Sequence, residues 1–582
     1  MKDLQSVRHT LAHVLAAAVL THDPKVKIAI GPAIENGFYY DFEFSKGKIP
    51  GEGDLKSFEK EMHKILKKGF EPECQEVSVD EARELFKDQP YKLELIEGIA
   101  KEGENITTYT IGEFVDLCEG PHVASSSEVD LESFALSHVA GAYWRGDEKN
   151  PMLTRIYGLA FENKEALDAY LAQQEEAKAR DHRKLGKELD LFTFSDLVGP
   201  GLPLFTPRGT LMRDLIVDKI MSIQERFGYT KVSIPHITKS DLYKTSGHWD
   251  KFGDELFKVR GKSDTEFVMK PMNCPHHTQI FDSRPRSYKE LPLRFAETTM
   301  VYRDEQQGEL LGLSRVRSIT QDDGHVFCTF EQIRQEVENI VHVIKEFYTS
   351  LDMFQEGKFW VSLSVRDPDE PEKYLGDAAG WDKAESVLED IAKQLDLPYK
   401  RVEGEAAFYG PKLDFMFFDA LGRERQLATA QLDFVMPERF TLSYVDENGE
   451  KKTPVMIHRA IAGSLERFMA IMIEHFAGAF PLWLSPVQIK ILPISENHTA
   501  YAKEVAEQLK ASGIRLELDD SSESLGKKIR NTKLEKVPYF LVIGEQEVDK
   551  KEVTLESRDE GKVGSMSVED LTARLKAEIN PE

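Results

Sequence analysis

Cysteine and histidine recur in this sequence at spacings that suit metal ligation or water activation. His9 and His13 stand four apart near the start. Cys118 and His122 stand four apart again within Asp116-Leu117-Cys118-Glu119-Gly120-Pro121-His122. Two histidines joined by a cysteine and a third histidine make a plausible tetrahedral zinc set. The same residues also suit a metal-free hydrolytic pocket, and spacing leaves both readings open beside plain coincidence. Elsewhere metal-capable donors are more scattered: Cys274 in Met272-Asn273-Cys274-Pro275, His325 in Gln321-Asp322-Asp323-Gly324-His325, and His458 in His458-Arg459-Ala460, and the residues alone select no ligand set among them. His276, His277 and Cys328 lie close in sequence and compete as donors. Pro275 is a good first helical residue, so the Cys274 sulfur is expected near a helix N-terminus, where a thiolate is favoured.

Arginines offer chemistry of another kind, since a guanidinium grips phosphate through a bidentate fork. Leu293–Phe327 reads as a long hairpin with Arg303 and Glu305 on its first strand. Its second strand, Arg317–Phe327, places Gln321, Asp323 and His325 two apart and so on one face. Val455–Ile461 reads as a strand that feeds Gly463-Ser464 and a helix bearing Arg467. Arg208–Ile237 reads as a helix running into a strand that ends at Pro235. Any one of these arginines alone reads more readily as a surface ion pair than as a phosphate clamp.

These elements must be carried by several domains. A chain of 582 residues exceeds ordinary single-domain size several times over. Residues 1–165 mix short strands (Lys27–Ile30, Phe38–Phe44, Thr107–Ile111) with helices. In the first helix, Leu4–Leu20, the residues Leu4, Val7, Leu11, Val14, Leu15 and Ala18 share one stripe, with His9 and His13 opposite. A charged run, Lys164–Leu189, has no apolar face wide enough for a core and reads as a linker helix over 166–190. A long α/β segment fills 191–483, with Phe408–Phe417 as one of its strands. Strand–helix units repeat over 484–582: Val487–Leu492, Ala500–Ala511, Arg515–Leu518, Leu525–Glu535 and Tyr539–Ile543.

Composition limits the partners. Apolar residues make up 41%, no stretch is long and apolar enough to span a bilayer, and no signal architecture opens the chain. Four cysteines are too few for a disulfide framework, which fits a reducing cytoplasm. The net charge of −26 argues against broad binding of nucleic acid, so any RNA contact must use local basic tracks. Over 484–582 there are 15 Lys and Arg against 19 Asp and Glu, with Lys527, Lys528 and Arg530 forming one such track.

Taken together, the three arginine-bearing segments resemble, in order and spacing, the three signature motifs of class II aminoacyl-tRNA synthetases. More narrowly, Met272–Pro275, Gln321–His325 and His458–Ala460 followed by Gly463-Ser464-Leu465-Glu466-Arg467 resemble the threonyl-tRNA synthetase family. The first histidine set and Val139-Ala140-Gly141-Ala142-Tyr143-Trp144-Arg145-Gly146 resemble that family's editing domain. The resemblance covers essentially the whole chain. It implies a multidomain α/β and α+β protein: an α+β editing domain, a class II antiparallel-sheet catalytic core and a C-terminal α/β anticodon-binding domain.

The resemblance also implies roles. Zn²⁺, one per subunit, is expected on Cys274, His325 and His458, holding the amino group and β-hydroxyl of L-threonine. Arg303 is expected on the α-phosphate of ATP, Arg315 and Arg467 on the distal phosphates with Mg²⁺, and Glu305 on adenine. Gln321, Asp323, Tyr409, Lys412, Gln426, Gln431 and Ala460 are expected to line the threonine and adenylate pocket. His9, His13, Lys92, Tyr109, Asp116, Cys118 and His122 are expected to hydrolyse seryl-tRNA(Thr) without a bound metal, although the same set binds zinc in alanyl-type relatives. Lys527, Lys528, Arg530, Glu547 and Arg558 are expected on tRNA(Thr), and homodimerisation is expected through the first motif. Three departures stand out. Glu119 and Glu556 stand where the family usually has basic residues, and the sequence opens directly in the expected editing helix, where bacterial members commonly have a small β-rich domain first. Rival readings are a seryl- or prolyl-type ligase, a stand-alone deacylase and a non-enzymatic tRNA-binding module. The Cys274, His325, His458 set opposes the first; the retained Arg303, Glu305 and Arg467 oppose the other two.

Overall fold

The computed structural model describes residues 3–45, 48–262 and 264–579. The chain divides into two compact units, Met1–Glu175 and Glu176–Glu582. Among the described residues no helix is long and apolar enough to cross a membrane.

The first unit opens with the helix Leu4–His22, whose N-cap Asp3 accepts from the Gln5 amide. It packs on an antiparallel sheet ordered Lys27–Ile28, Gly37–Glu43, Met152–Ala160, Phe134–Tyr143. Val7, Leu11, Val14, Leu15 and Ala18 meet Phe38, Tyr40, Phe42 and Ile156 as the single-stripe pattern predicts. The opposite side is not a solvent face, however: Ala12, His13, Ala16 and Ala17 are buried too. A smaller antiparallel sheet of Glu73–Val77, Ile106–Ile111 and Phe114–Leu117 supplies the second wall of this unit's cavity.

The run expected as one linker helix is two helices, Lys164–Arg180 and His182–Glu188. Asp181 breaks it by accepting the Arg183 amide at 2.8 Å, which caps the second helix. That second helix is not purely solvated either, since Leu185 and Gly186 are buried and His182 Nδ1 meets Glu474 at 2.7 Å.

The second unit is built on an eight-stranded sheet in the order Thr230–Lys231, Leu293–Tyr302, Ser318–Cys328, Val455–Ala460, Glu424–Asp433, Lys412–Phe418, Phe359–Val365, Tyr399–Glu403. All pairs are antiparallel except the two outermost. Strand alternation sorts the central strand Ser318–Cys328 cleanly: Val326 and Cys328 enter the large core with the helices Pro207–Arg226, Ile333–Thr349 and Leu465–His475. The alternate residues Gln321, Asp323 and His325 take the other face, which leads to Phe327 beside Cys274, Phe281 and Met456.

The C-terminal segment forms a sheet ordered Leu516–Leu518, Ile489–Pro493, Tyr539–Ile543, Val553–Ser557, Gly561–Met566, with the first three strands parallel. It has its own core of Ile489, Ile491, Leu541, Val505 and Leu571. It also contacts the elements around the eight-stranded sheet: Arg208 Nη2 pairs with Glu517 and Glu535, and Lys536 donates to the Ala477 carbonyl.

Candidate active sites

His325 and His458 are direct register partners on neighbouring antiparallel strands, which brings His325 Nε2 to 3.1 Å from His458 Nδ1. Cys274 opens the helix Cys274–Asp282 and adds its sulfur. All three side chains are buried, and their donor atoms lie within 4.8 Å of one another. A tetrahedral zinc would want such donors roughly 3.3–3.7 Å apart, given its bond lengths to nitrogen and sulfur. The donor chemistry and spacing therefore fit zinc. The expectation of a ready thiolate does not hold in the metal-free protein: burial, followed by Asp323 and Asp433, pushes the Cys274 thiol well above its ordinary range. The proton leaves when a cation replaces it.

The competing donors separate by geometry. Cys328 is in the opposite core because it is three residues from His325 on a strand. His276 is buried with neither ring nitrogen partnered. His277 stands behind His325, Nδ1 to Nδ1 at 2.7 Å, and its Nε2 faces Glu297 Oε2 at 3.5 Å. Asp433 Oδ2 stands behind His458 Nε2 at 2.8 Å. His248, buried and with its pKa lowered to about 3 by burial, points Nε2 at the Cys274 sulfur at 3.7 Å. Sequence reading missed His248 and Asp433. Asp433 carried a usable signal, since it follows Gln431 by two residues on one strand and so shares its face.

A cavity of about 590 Å³ adjoins this cluster and is lined by Arg303, Glu305, Arg315, Gln321, Gln426, Ala460 and Arg467. Arg303 and Glu305 do not lie on the strand, which ends at Tyr302; they occupy the loop just after it. There Arg303 packs over Phe252, and its Nε is buried without a partner. Burial lowers the Arg303 pKa, against the opposing pull of Glu255 and Glu305. Arg315 pairs with Glu305 at 2.7 Å and Glu309 at 3.1 Å. Arg467 forms no ion pair among the described residues, and burial lowers its pKa, with Arg425 adding repulsion. Its helix is positioned by Asp322, which accepts from the amides of Ile461 and Ala462 and from buried Arg459. Gly324 leaves room for that arginine: a Cβ there would lie 2.5 Å from Arg459 Nε and would force the buried, ion-paired side chain to shift.

The remaining expected residues surround these two features. Asp323 accepts from Asn273 Nδ2 at 3.0 Å, and burial raises its pKa. Tyr409 is not on a strand, since Lys412–Phe418 begins after it; its ring packs on His458 with centroids 5.0 Å apart. Gln431 is the register partner of both His458 and Lys412. Lys412 is tied to Asp414, which also receives Gln426, Thr429 and Ser364.

In the first unit, a cavity of about 400 Å³ is lined by His9, His13, Lys92, Asp116 and Cys118, among others. The Nε2 atoms of His9 and His13 approach to 3.3 Å, and Cys118 Sγ lies 3.4 Å from His9 Nε2 and 3.3 Å from His122 Nε2. Each outward ring nitrogen has a neighbour: Pro121 O at 3.2 Å for His9, and Thr10 Oγ1 at 3.1 Å for His122. His13 Nδ1 lies 3.1 Å from Asp116 Oδ2, out of line for a hydrogen bond. Lys92 is no surface residue. It is 2% exposed and pairs with Asp116 Oδ1 at 2.5 Å, while Tyr40 donates to Oδ2 at 2.6 Å. Tyr109 packs on His122, and a Cβ at Gly120, whose φ is +80°, would strike its hydroxyl. Burial lowers His9 and His13, brings His122 to about 3 and lifts Cys118 to about 12, so the cluster is uncharged at neutral pH. Tyr40 and Thr10 went unnoticed in the sequence because ordinary core residues carry no local signal.

The C-terminal residues divide. Lys527 and Arg530 are exposed. Lys528 is turned inward, 3% exposed, donating to the carbonyls of Asp519 and Pro493. Arg558 is spent on the carbonyls of Phe480 and Lys536 and on Asp559. Glu547 caps its own helix through the Gly544 amide and accepts from Thr554. All three make intramolecular contacts; Lys528 is buried, whereas Glu547 and Arg558 are half-buried.

Comparison with known proteins agrees with this architecture. The family model for the tRNA synthetase class II core domain (G, H, P, S and T) matches residues 257–476. The anticodon binding domain matches 488–578, and the threonyl and alanyl tRNA synthetase second additional domain matches 106–157. A threonine–tRNA ligase of Gloeobacter violaceus is 50% identical over 585 residues, covering 99% of this chain and 92% of its own. One from Rubrobacter xylanophilus is 47% identical over 578 residues, covering 99% and 89%. Among solved structures, the RNA binding domain of threonyl-tRNA synthetase from Cryptosporidium parvum Iowa II superposes with a TM-score of 0.65 at 38% identity, over 69% of this chain and 99% of that one. With two sites of the expected chemistry and relatives aligned along nearly its full length, the chain belongs to the threonine–tRNA ligase family of class II aminoacyl-tRNA synthetases.

Proposed function

We propose that this protein activates L-threonine with ATP, transfers it to tRNA(Thr), and hydrolyses seryl-tRNA(Thr) made in error. The carrying observation is a buried sulfur–nitrogen–nitrogen donor set adjoining a cavity lined by three arginines.

Cys274, His325 and His458 would hold Zn²⁺. Bound there, it would supply a Lewis acid for orienting the polar groups of threonine. A site that demands a hydroxyl rejects valine by about 10⁴-fold or more, whereas serine lacks only a methyl, a difference of about 1–3 kcal/mol. Asp323 lies on the same strand face as His325 and adds a carboxylate toward the substrate ammonium. Tyr409, whose hydroxyl burial keeps protonated, packs against His458 as a wall and a donor.

In activation, a threonine carboxylate oxygen attacks the α-phosphorus of ATP and the bond to diphosphate breaks. Arg303 meets the charge that builds on the α-phosphate, and its desolvated, half-unpartnered guanidinium is prepared for that anion. Arg467 and Arg315 meet the distal phosphates. Mg²⁺ arrives as the counter-ion of ATP, with Glu305 the only carboxylate lining the cavity among the described residues. A tRNA terminal hydroxyl then attacks the threonyl carbonyl, and AMP leaves.

Serine that escapes is removed in the first unit. A water attacks the seryl ester carbonyl, and the ribose oxygen departs with a proton. His9 donates Nδ1–H to the Pro121 carbonyl, so its Nε2 is bare and able to accept a proton from that water. Asp116, held by Lys92 and Tyr40, lies 3.1 Å from His13 Nδ1, and His13 turns Nε2 toward His9 Nε2 at 3.3 Å. The working species in this reading is a homodimer joined through the segment 208–237, and light scattering measures its mass.

The test is threonyl-tRNA formation by the purified protein from threonine, ATP and tRNA(Thr). Charging that persists undiminished in both Arg303→Ala and His325→Ala would remove the basis for this reading.

A further inference from the structure

We propose that Asp433 decides which ring nitrogen of His458 is free for metal, and so sets zinc affinity at Cys274, His325 and His458. The inference rests on the reading of that trio as a zinc site. His458 directs Nδ1 toward His325 Nε2 and turns Nε2 to Asp433 Oδ2 at 2.8 Å. An ionised carboxylate only accepts, so this contact keeps the ring proton on Nε2 and leaves Nδ1 bare.

Asp433 has little freedom to do otherwise. It is fully buried at the end of the strand Glu424–Asp433. Its Oδ1 accepts from the amides of Val435 and Met436, at 2.9 and 2.8 Å, where the short helix Val435–Arg439 begins. With one oxygen fixed by two backbone donors, the other has a single direction left, and His458 stands in it. His325 is held less directly. Its outer partner is the imidazole of His277, which can donate or accept at either nitrogen, and His277 reaches Glu297 only at 3.5 Å. Asp433 is therefore the firmer of the two outer supports and the one to test.

Asp433→Asn is discriminating because of that backbone clamp. The Val435 and Met436 amides require an oxygen, so the new side chain must present its oxygen to them and its NH₂ to His458. An NH₂ donates, which moves the ring proton to Nδ1, the nitrogen the metal needs bare. The helix cap survives and the metal-facing tautomer is lost.

Zinc affinity is measured on the full chain by competition with a chromophoric chelator. Zinc content of wild type and Cys274→Ser is measured alongside, as are melting temperatures of the zinc-free proteins. The expected result is zinc binding weakened by about 10–100-fold in Asp433→Asn, the usual effect of removing such an outer partner, with zinc-free melting temperatures unchanged. Equal zinc affinity in Asp433→Asn and wild type overturns the inference and leaves the zinc site standing. Wild-type zinc content no higher than that of Cys274→Ser overturns the zinc site, and the inference with it. If Asp433→Asn does not fold, ring ¹⁵N spectra of His458 in zinc-free wild type decide: a proton on Nε2 supports the proposal and a proton on Nδ1 overturns it.

Discussion

His325 and His458 face each other as register partners across two antiparallel strands, with Nε2 and Nδ1 3.1 Å apart. The strands are separated by more than a hundred residues of sequence, so the pair exists only because the sheet order places Val455–Ala460 beside Ser318–Cys328. Substituting either histidine by alanine removes a donor from the three-member set. Zinc content is expected to fall from one per chain to near zero, together with threonine-dependent activation. A fully active His458→Ala protein without zinc would contradict this.

Arg303 is expected to act on the transition state more than on folding. Its guanidinium is buried with Nε unpartnered and forms no ion pair among the described residues, so Arg303→Ala gives up mainly its packing over Phe252 and a contact with Met272 sulfur. The rate of adenylate formation should drop about 10²–10³-fold, the range for losing one preorganised donor, while the melting temperature holds or rises. An unchanged rate would move the α-phosphate elsewhere.

Lys528 and Lys527 are neighbours with opposite expected phenotypes. Lys528 donates to two carbonyls from a buried position, so Lys528→Ala should lower stability and leave the salt dependence of tRNA binding alone. Lys527 and Arg530 are exposed, and each that touches a phosphate should flatten the salt slope by about one unit when neutralised. Identical behaviour of Lys527→Ala and Lys528→Ala in both measurements would refute the division.

The contrast shows what can be read from one sequence. Strand periodicity was enough to put Gln321, Asp323 and His325 on one face, because alternation is local geometry. Helical periodicity found the Leu4–Ala18 stripe but not the burial of the reverse side, which depends on a sheet and strands encoded far downstream. Lys92, Lys528 and Arg558 look like surface charges in sequence; only tertiary folding turns them onto Asp116 or onto backbone carbonyls. Likewise Tyr40 is an ordinary core residue until an aspartate from elsewhere arrives beside it, whereas Asp433 was readable only through the strand face it shares with Gln431.

The histidines of the first unit predict acid sensitivity. Unfolded imidazoles take up protons below about 6.5, whereas folded His122 stays neutral down to about 3, and burial lowers His9 and His13 as well. Unfolding therefore absorbs protons across that window. Stability is complete above about 6.5 and declines as the pH falls toward 3. Hydrogen exchange of residues 1–175 in the full chain should accelerate between pH 7 and pH 5, and His13→Gln with His122→Gln should weaken that dependence. Exchange that is pH-independent after correction for intrinsic rates would contradict the burial argument.

The two-pocket division of labour is tested by deacylation of pre-formed seryl-tRNA(Thr). His9→Ala with His13→Ala should abolish it while threonine charging continues, since adenylation uses only the second unit's cavity. Chelator should leave wild-type deacylation intact, because neutral imidazoles hold the water. Equal deacylation by wild type and the double variant would assign this pocket some other task.

The most direct measurement of the central claim is ATP–pyrophosphate exchange by the zinc-loaded protein with threonine, serine and valine side by side. A site that reads the hydroxyl but barely the methyl predicts strong exchange with threonine, detectable exchange with serine at a penalty of about 10–200-fold, and valine rejected by about 10⁴-fold or more. Valine activated as readily as serine, or no exchange with threonine, would contradict it.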